Sequence, residues 1–239
     1  MSRNDLILLI AETIGVIAVV MLLGLSPRVR AKREVKFIYP RREGLFALAG
    51  FAVILALAVI YYAKLSHTGL QDDLILAGLS ALPFVAFLLV RRQPMRSAGW
   101  GRANLSLGLQ FGLVLAILAL FIYNRIGTIL GGLSGAQIGS LLYWLAICLL
   151  EESIFRGYMQ PRLSAWLGGL PGWILCAAMF AVWRLPLWLS AGGTFVSVLP
   201  NLGLALIQGL VLGYIQRKSG SVLAPALYRA VSTWASLLG

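Results

Sequence analysis

The sequence predicts an all-α polytopic membrane protein with about eight transmembrane helices, and three observations indicate this class. Hydrophobic residues make up 60% of the 239 residues and charged residues only 12%, whereas a soluble domain carries about 25% charged residues. The mean hydropathy is +0.89. The apolar residues form runs near the roughly 20 residues that a helix needs to cross a bilayer. This composition excludes a soluble globular domain and a disordered chain.

The first apolar run covers residues 6–25, ends at Ser26 and Pro27, and is followed by a cluster of arginines and lysines. A cleaved signal peptide has its basic region before a shorter apolar core. Because the basic cluster here comes after the core, we expect this run to be a retained membrane anchor.

Seven further runs follow, separated by short polar, basic or glycine-rich links: residues 45–63, 74–90, 105–122, 137–160, 172–189, 199–215 and 221–238. These links leave no room for a soluble domain. We therefore expect residues 1–239 to form a single transmembrane domain. Its residues 1–136 carry no diagnostic motif, and residues 137–239 carry the motifs described below.

Positive charge alternates between successive links. Residues 28–42, residues 91–102, Arg162 and the pair Arg217-Lys218 are basic, whereas the links between them hold only Arg3, Lys64 and Arg125. Because lysine and arginine in short loops stay on the cytoplasmic side, both termini are expected to face away from the cytoplasm.

The net charge is +12, from 20 Lys and Arg against 8 Asp and Glu. Since most of these cations lie in links that set topology, they imply a lipid bilayer as partner and no nucleic acid. The only histidine, His67, lies in a polar link, and Cys148 and Cys176 lie in apolar runs. We therefore expect no metal site and no cofactor.

Five ionisable residues lie inside the spans: Glu151, Glu152, Arg156, Arg184 and Arg229, with Glu12 a marginal sixth near a helix end. A charged group in a bilayer core costs at least ~2.5–3.5 kcal/mol, so such groups face the bundle interior and pair. On the seventh run, Asn201 and Gln208 share a face and either line the same cavity or make interhelical hydrogen bonds, and Gly203, Gly209 and Gly213 are helix-packing positions.

The pattern Glu-Glu-x-x-x-Arg, formed by Glu151, Glu152 and Arg156, allows two interpretations. Glu152 and Arg156 are four residues apart on one helical face, while Glu151 points roughly 100° away. In a catalytic site, Arg156 would hold Glu152 ionised and Glu151 would activate water as a general base. In a structural site, the same residues would form a buried ion-pair cluster that joins helices.

At this motif the chain resembles the CPBP family, the CAAX-protease and bacteriocin-processing intramembrane peptidases. The family pattern continues with Phe-x-x-x-His and then His-x-x-x-Asn or Asp. These elements align with Phe180 to Arg184 and with Arg229 to Thr233. The resemblance implies about eight membrane helices and a glutamate that activates water. We expect the chain to lie in a bacterial inner (plasma) membrane.

The resemblance also places Arg184 and Arg229 at the family's two histidines and Thr233 at its Asn or Asp. Arginine has no lone pair and does not deprotonate in proteins, so it cannot act as ligand or base. It can still stabilise an oxyanion, although nearby guanidiniums would weaken both carboxylates as bases.

Two function classes follow. In the first, the chain is a catalytically impaired member that acts as a membrane-embedded binding, scaffold or assembly subunit, with other membrane protein subunits as partners. In the second, it is an active glutamic-type intramembrane endopeptidase that cleaves a peptide substrate, with Glu151 activating water and Arg184 and Arg229 stabilising the oxyanion. A small transporter that binds its substrate at these charges is a third possibility, without support from an internal repeat.

Overall fold

The structure, a computed structural model, describes residues 3–30, 35–64 and 70–238, and over these ranges the regular structure is helical with no strand. The helices are α1 (Arg3–Gly24), α2 (Pro27–Arg30), α3 (Pro40–Lys64), α4 (Leu70–Val90), α5 (Arg102–Ile122), α6 (Ile126–Leu130), α7 (Gly135–Glu152), α8 (Gln160–Leu167), α9 (Gly169–Trp183), α10 (Leu185–Ser190), α11 (Phe195–Ser219) and α12 (Leu223–Leu237). A 3₁₀ turn covers Met95–Ala98, and a π-helical segment, Ser153–Met159, joins α7 to α8.

Within the described ranges, seven helical segments are long and apolar enough to cross a membrane. The prediction of an all-α polytopic membrane protein is therefore confirmed. The eighth predicted run differs, because its helix α12 has 15 residues and is shorter than a typical spanning helix. Arg229, Ser232, Thr233 and Ser236 lie inside α12 and interrupt its apolar sequence.

The fifth and sixth predicted runs differ from the structure where they meet. The helical path of the fifth run continues past Gln160 into α8, with Pro161 near the start of α8. α8 then extends to Leu167, and Gly168 with φ 97° turns the chain into α9. Arg162, predicted to be a link cation, is consequently a fully buried helical residue.

The described residues form two compact units. We call Glu34–Gly101 with Leu150–Gly213 the central unit. Its core packs residues of α3, α4, the π segment and α9, among them Ile54, Phe84, Phe155 and Phe180. The approach of α3 to α4 is close at Gly50, where a Cβ atom would lie 2.5 Å from the Phe84 ring.

We call Met1–Arg33, Arg102–Leu149 and Tyr214–Gly239 the terminal unit. In it, α5 packs against α12, and Cys148 packs with Ala226 and Ala230 as a small buried thiol. Glu12, predicted near a helix end, lies instead well inside α1 and is only 3% exposed. The Tyr123 and Tyr228 hydroxyls each donate a 2.9 Å hydrogen bond to its carboxylate.

Candidate functional site

The centre of the candidate site is the ion pair between Glu151 and Arg184. Glu151 is the second-last residue of α7 and is 1% exposed. Arg184 lies between α9 and α10, where one helix ends and the next begins. Its Nη2 donates a 2.6 Å hydrogen bond to Glu151 Oε2. The carboxylate that would have to activate water thus lies in direct contact with a guanidinium.

A second ion pair joins Glu152 and Arg156, both fully buried. Arg156 Nε lies 3.2 Å from Glu152 Oε2, and its Nη2 donates a 3.3 Å hydrogen bond to the Gly209 carbonyl of α11. Arg156 belongs to the π segment, where backbone hydrogen bonds span five residues instead of four. Because π-helical turns occur often at functional sites, this local geometry marks the motif as a specialised part of the helix.

Phe180 is an aromatic contact that Arg156 and Arg184 share. The Arg156 Cζ atom lies 4.4 Å from the centre of the Phe180 ring and the Arg184 Cζ atom 5.6 Å from it. The ring is fully buried and packs edge to face on Phe155 at 5.2 Å. A cation over an aromatic face is stabilised by the ring quadrupole, so Phe180 helps to hold both guanidiniums in an apolar environment.

Sequence reasoning missed two neighbours of this site, Asp73 and Tyr62. The Tyr62 hydroxyl donates a 3.1 Å hydrogen bond to Asp73 Oδ1, and Asp73 interacts electrostatically with Arg184 and Glu151. The available signal was a pair of tyrosines at the end of one apolar run and a pair of aspartates at the start of the next. Such a spacing fits an α3–α4 helical hairpin.

Asp73 changes the balance of charge. In the central unit, the three carboxylates of Glu151, Glu152 and Asp73 accompany the two guanidiniums of Arg156 and Arg184.

The remaining predicted residues, Arg229, Thr233 and Asn201, lie on α12 and α11. Arg229 is buried on α12 of the terminal unit, and Thr233 lies half-buried one turn further on. A cluster joining α7, α9 and α12 stays a prediction. Asn201 and Gln208 are both exposed on α11, so Asn201 is not part of the buried site.

The packing of α11 against its neighbours is carried by two of the three predicted glycines. A Cβ atom at Gly209 would lie 3.1 Å from Ala177, and one at Gly213 would lie 2.5 Å from Trp173 Nε1. Gly203 has open space around it, so it is not a packing position within the described chain. The carbonyls of Gly209 and Gly213 accept hydrogen bonds from Arg156 and Gln160.

Among the described residues, no three or more His, Cys, Asp or Glu side chains are grouped in a way that would hold a metal ion. His67 lies outside the described residues. The chemistry that this part of the chain offers is that of carboxylates, guanidiniums and aromatic rings.

Comparison with known families finds a match for the C-terminal part of the chain. No curated protein and no solved structure matches the chain. The matched segment contains the Glu-Glu-x-x-x-Arg motif, Phe180, Arg184, Arg229 and Thr233, and the resemblance predicted from the sequence is confirmed there. Residues 133–235 match the family of Type II CAAX prenyl endopeptidase Rce1-like proteins, so this C-terminal part of the integral membrane protein is similar to the CAAX proteases.

Proposed function

We propose that this CAAX-protease-like membrane protein does not hydrolyse peptides, that it acts as a membrane-embedded binding, scaffold or assembly subunit, and that its buried charges are structural. The observation that carries the proposal is the 2.6 Å hydrogen bond between Arg184 Nη2 and Glu151 Oε2. In this proposal Arg184 and Arg229 occupy the positions where the resembled family has histidines.

The chemistry of arginine supports a structural role. A general base must accept a proton from water at hydrogen-bond distance, and a guanidinium beside Glu151 competes with water for that carboxylate. Arg184 cannot itself relay a proton, because arginine stays charged in proteins. By contrast, paired buried charges that are also hydrogen-bonded are tolerated inside a membrane.

The consequence for the fold is that the two ion pairs fix the end of α7 against α9 and α11. Glu151 reaches the α9–α10 junction, and Arg156 reaches the Gly209 carbonyl of α11. A core held in this way presents a rigid surface to a neighbouring subunit. We place the protein in the plasma membrane, with its basic links on the cytoplasmic side.

The test is the variant Glu151→Gln, measured both for stability in detergent and for cleavage of a prenylated CAAX peptide. We expect the wild type to cleave no peptide. We expect the variant to lose about 3 kcal/mol of stability, the lower end of the cost of breaking a buried pair, because the Arg184 side chain is 17% exposed. The double variant Glu151→Gln with Arg184→Gln should recover part of this loss, since neither charge of this ion pair is then left facing a neutral amide.

The opposite result is equally clear. If the wild type cleaves the peptide, and Glu151→Gln abolishes cleavage without lowering the melting temperature, the chain is a peptidase and the proposal is wrong. The assembly part has its own test, because light scattering of protein purified in mild detergent gives the mass of the particle. A monomer without a companion subunit contradicts the assembly role.

A further inference from the structure

A second group of buried charges, around Glu43 and Arg162, lies at the N-terminal end of α3. Arg162 is fully buried and uses all three guanidinium nitrogens as donors. Nε donates to Glu43 Oε2 at 3.1 Å, Nη1 to the Ser97 and Tyr158 carbonyls at 3.1 and 3.0 Å, and Nη2 to Gln93 Oε1 and Ser97 Oγ. Since each nitrogen is engaged, Arg162 has a structural task within the central unit.

Glu43 is shared with a second cation. Arg91 donates two parallel hydrogen bonds to the same carboxylate, from Nη1 to Oε2 at 3.0 Å and from Nη2 to Oε1. The hydrogen bond to Glu43 raises the pKa of the Arg91 guanidinium above its usual value. The two guanidiniums of Arg91 and Arg162 therefore share the single carboxylate of Glu43.

Further arginines next to this group along the chain have no carboxylate partner in an ion pair among the described residues. Arg42 and Arg91 lie over the same ring, with Cζ atoms 5.7 and 4.3 Å from the centre of Phe46. Arg42, Arg92 and Arg96 are exposed, and no ion pair in the described part of the chain engages them. We call Arg42, Arg91, Arg92 and Arg96 the basic face of the central unit.

The basic face lies where two membrane-crossing segments end. One candidate segment begins at Pro40 and another ends at Val90, so the arginines lie close to the ends of these apolar segments, where the headgroups of a surrounding bilayer are expected. Large apolar side chains project beside them: Ile38 is 86% exposed, Tyr39 66% and Met95 58%. Cations next to exposed apolar and aromatic side chains are typical of a membrane interface, whereas a purely basic patch would suit a soluble polyanion equally well.

We propose that the basic face binds the phosphate of an anionic phospholipid, with Arg42 and Arg92 as its main contacts. Arginine suits this ligand because its planar guanidinium binds phosphate oxygens in pairs. Arg91, held in place by Glu43, adds positive charge next to the headgroup, while Ile38 and Tyr39 contact the upper part of the acyl chains. This proposal is independent of whether the site at Glu151 is catalytic.

The experiment compares phosphatidylglycerol with phosphatidylcholine for the purified protein in detergent, measuring lipid retained by native mass spectrometry and the dissociation constant by titration. The test variant is Arg42→Gln with Arg92→Gln. The matched control, Lys64→Gln with Arg217→Gln, also removes two positive charges from exposed positions. Lys64 lies at the C-terminal end of α3, whereas Arg42 lies near its N-terminal end. Both test residues are exposed, so size-exclusion profiles should remain unchanged.

We expect the wild type and the control to prefer phosphatidylglycerol. The test variant should bind it about thirtyfold more weakly, because it loses two cations near an anionic surface. Equal weakening in the control would overturn the proposal in favour of a general effect of net charge. Inorganic phosphate that competes as well as the lipid does would overturn it in favour of a small-anion site.

Discussion

Arg156 and Arg162 lie six residues apart and are both fully buried, yet their surroundings satisfy them differently. Arg162 has a hydrogen-bond partner for each of its three nitrogens. Arg156 relies on one carbonyl, on the charge of Glu152, and on the ring of Phe180. Because a buried charge is stabilised by directed hydrogen bonds more than by a nearby opposite charge alone, Arg162 is the stronger structural element of the two.

This difference gives a prediction for Arg162→Met, which keeps an unbranched apolar side chain but removes the charge. The variant leaves the buried Ser97 and Tyr158 carbonyls without their donor and Glu43 with Arg91 alone. We expect a loss of about 3–5 kcal/mol, measured by thermal or denaturant unfolding in detergent. Arg96→Met is the control, since Arg96 is exposed and surface substitutions usually change stability by less than about 0.5 kcal/mol. Equal effects of the two substitutions would contradict the structural role inferred for Arg162.

At the residue level, the sequence was sufficient to predict that four side chains are buried and paired, because charges deep inside apolar runs are rare and must pair. These are Glu151, Glu152, Arg156 and Arg184. The sequence was insufficient for Arg162 and Asp73, which lie just beyond the ends of the apolar runs. Both look like link residues until the exact length of α8 and the start of α4 are known, and hydropathy does not determine helix ends to within one turn.

At the level of single elements, the fifth predicted run shows what periodicity leaves out. The pattern over residues 137–160 predicts one α-helix, whereas the chain forms α7, the π segment and α8 in succession. A π segment keeps every residue helical and changes only which carbonyl each N–H reaches. The hydrogen bond from Arg156 to the Gly209 carbonyl of α11 accompanies this segment, and no local pattern encodes such a contact.

The contact of α11 with α8 and α9 gives a prediction at this scale. At Gly213 a Cβ atom would lie 2.5 Å from Trp173 Nε1 and 2.7 Å from Gln160 Oε1, so Gly213→Ala must displace both side chains. Overpacking of this kind costs about 1–3 kcal/mol, and the melting temperature in detergent should fall accordingly. Gly203→Ala on the same helix is the control, since nothing lies within 4 Å of its Cβ position. It should leave stability unchanged or raise it slightly, because alanine favours helix. A loss at Gly203 equal to that at Gly213 would contradict overpacking against Trp173 and Gln160 as the cause of the loss at Gly213.

At the scale of the whole molecule, the all-α class and the seven long spans follow from composition and run length, because a bilayer admits few structures that satisfy every backbone group. Grouping of the helices into a central and a terminal unit does not follow from the sequence. The terminal unit combines α1, α5 and α12, which are far apart along the chain. Such pairing depends on complementary side-chain shapes at close contacts, for example Gly112 of α5 against Leu227 of α12.

The alternation of basic and charge-poor links predicts the orientation of the whole chain, and cysteine labelling tests it. We expect Arg96→Cys to be protected from a membrane-impermeant maleimide in intact cells and to react after the membrane is opened, since its link is basic. Thr194→Cys, in a link without charge, should react in intact cells. Both positions are exposed, and the wild type serves as the unlabelled control because Cys148 and Cys176 are buried.

Labelling of Ser236→Cys, near the end of α12, then decides whether this 15-residue helix crosses the membrane. Labelling in intact cells means that α12 crosses the membrane despite its length and that eight segments span the bilayer. Protection at Ser236 together with labelling at Thr194 means that seven segments cross, and protection at Thr194 with labelling at Arg96 would reverse the predicted orientation altogether.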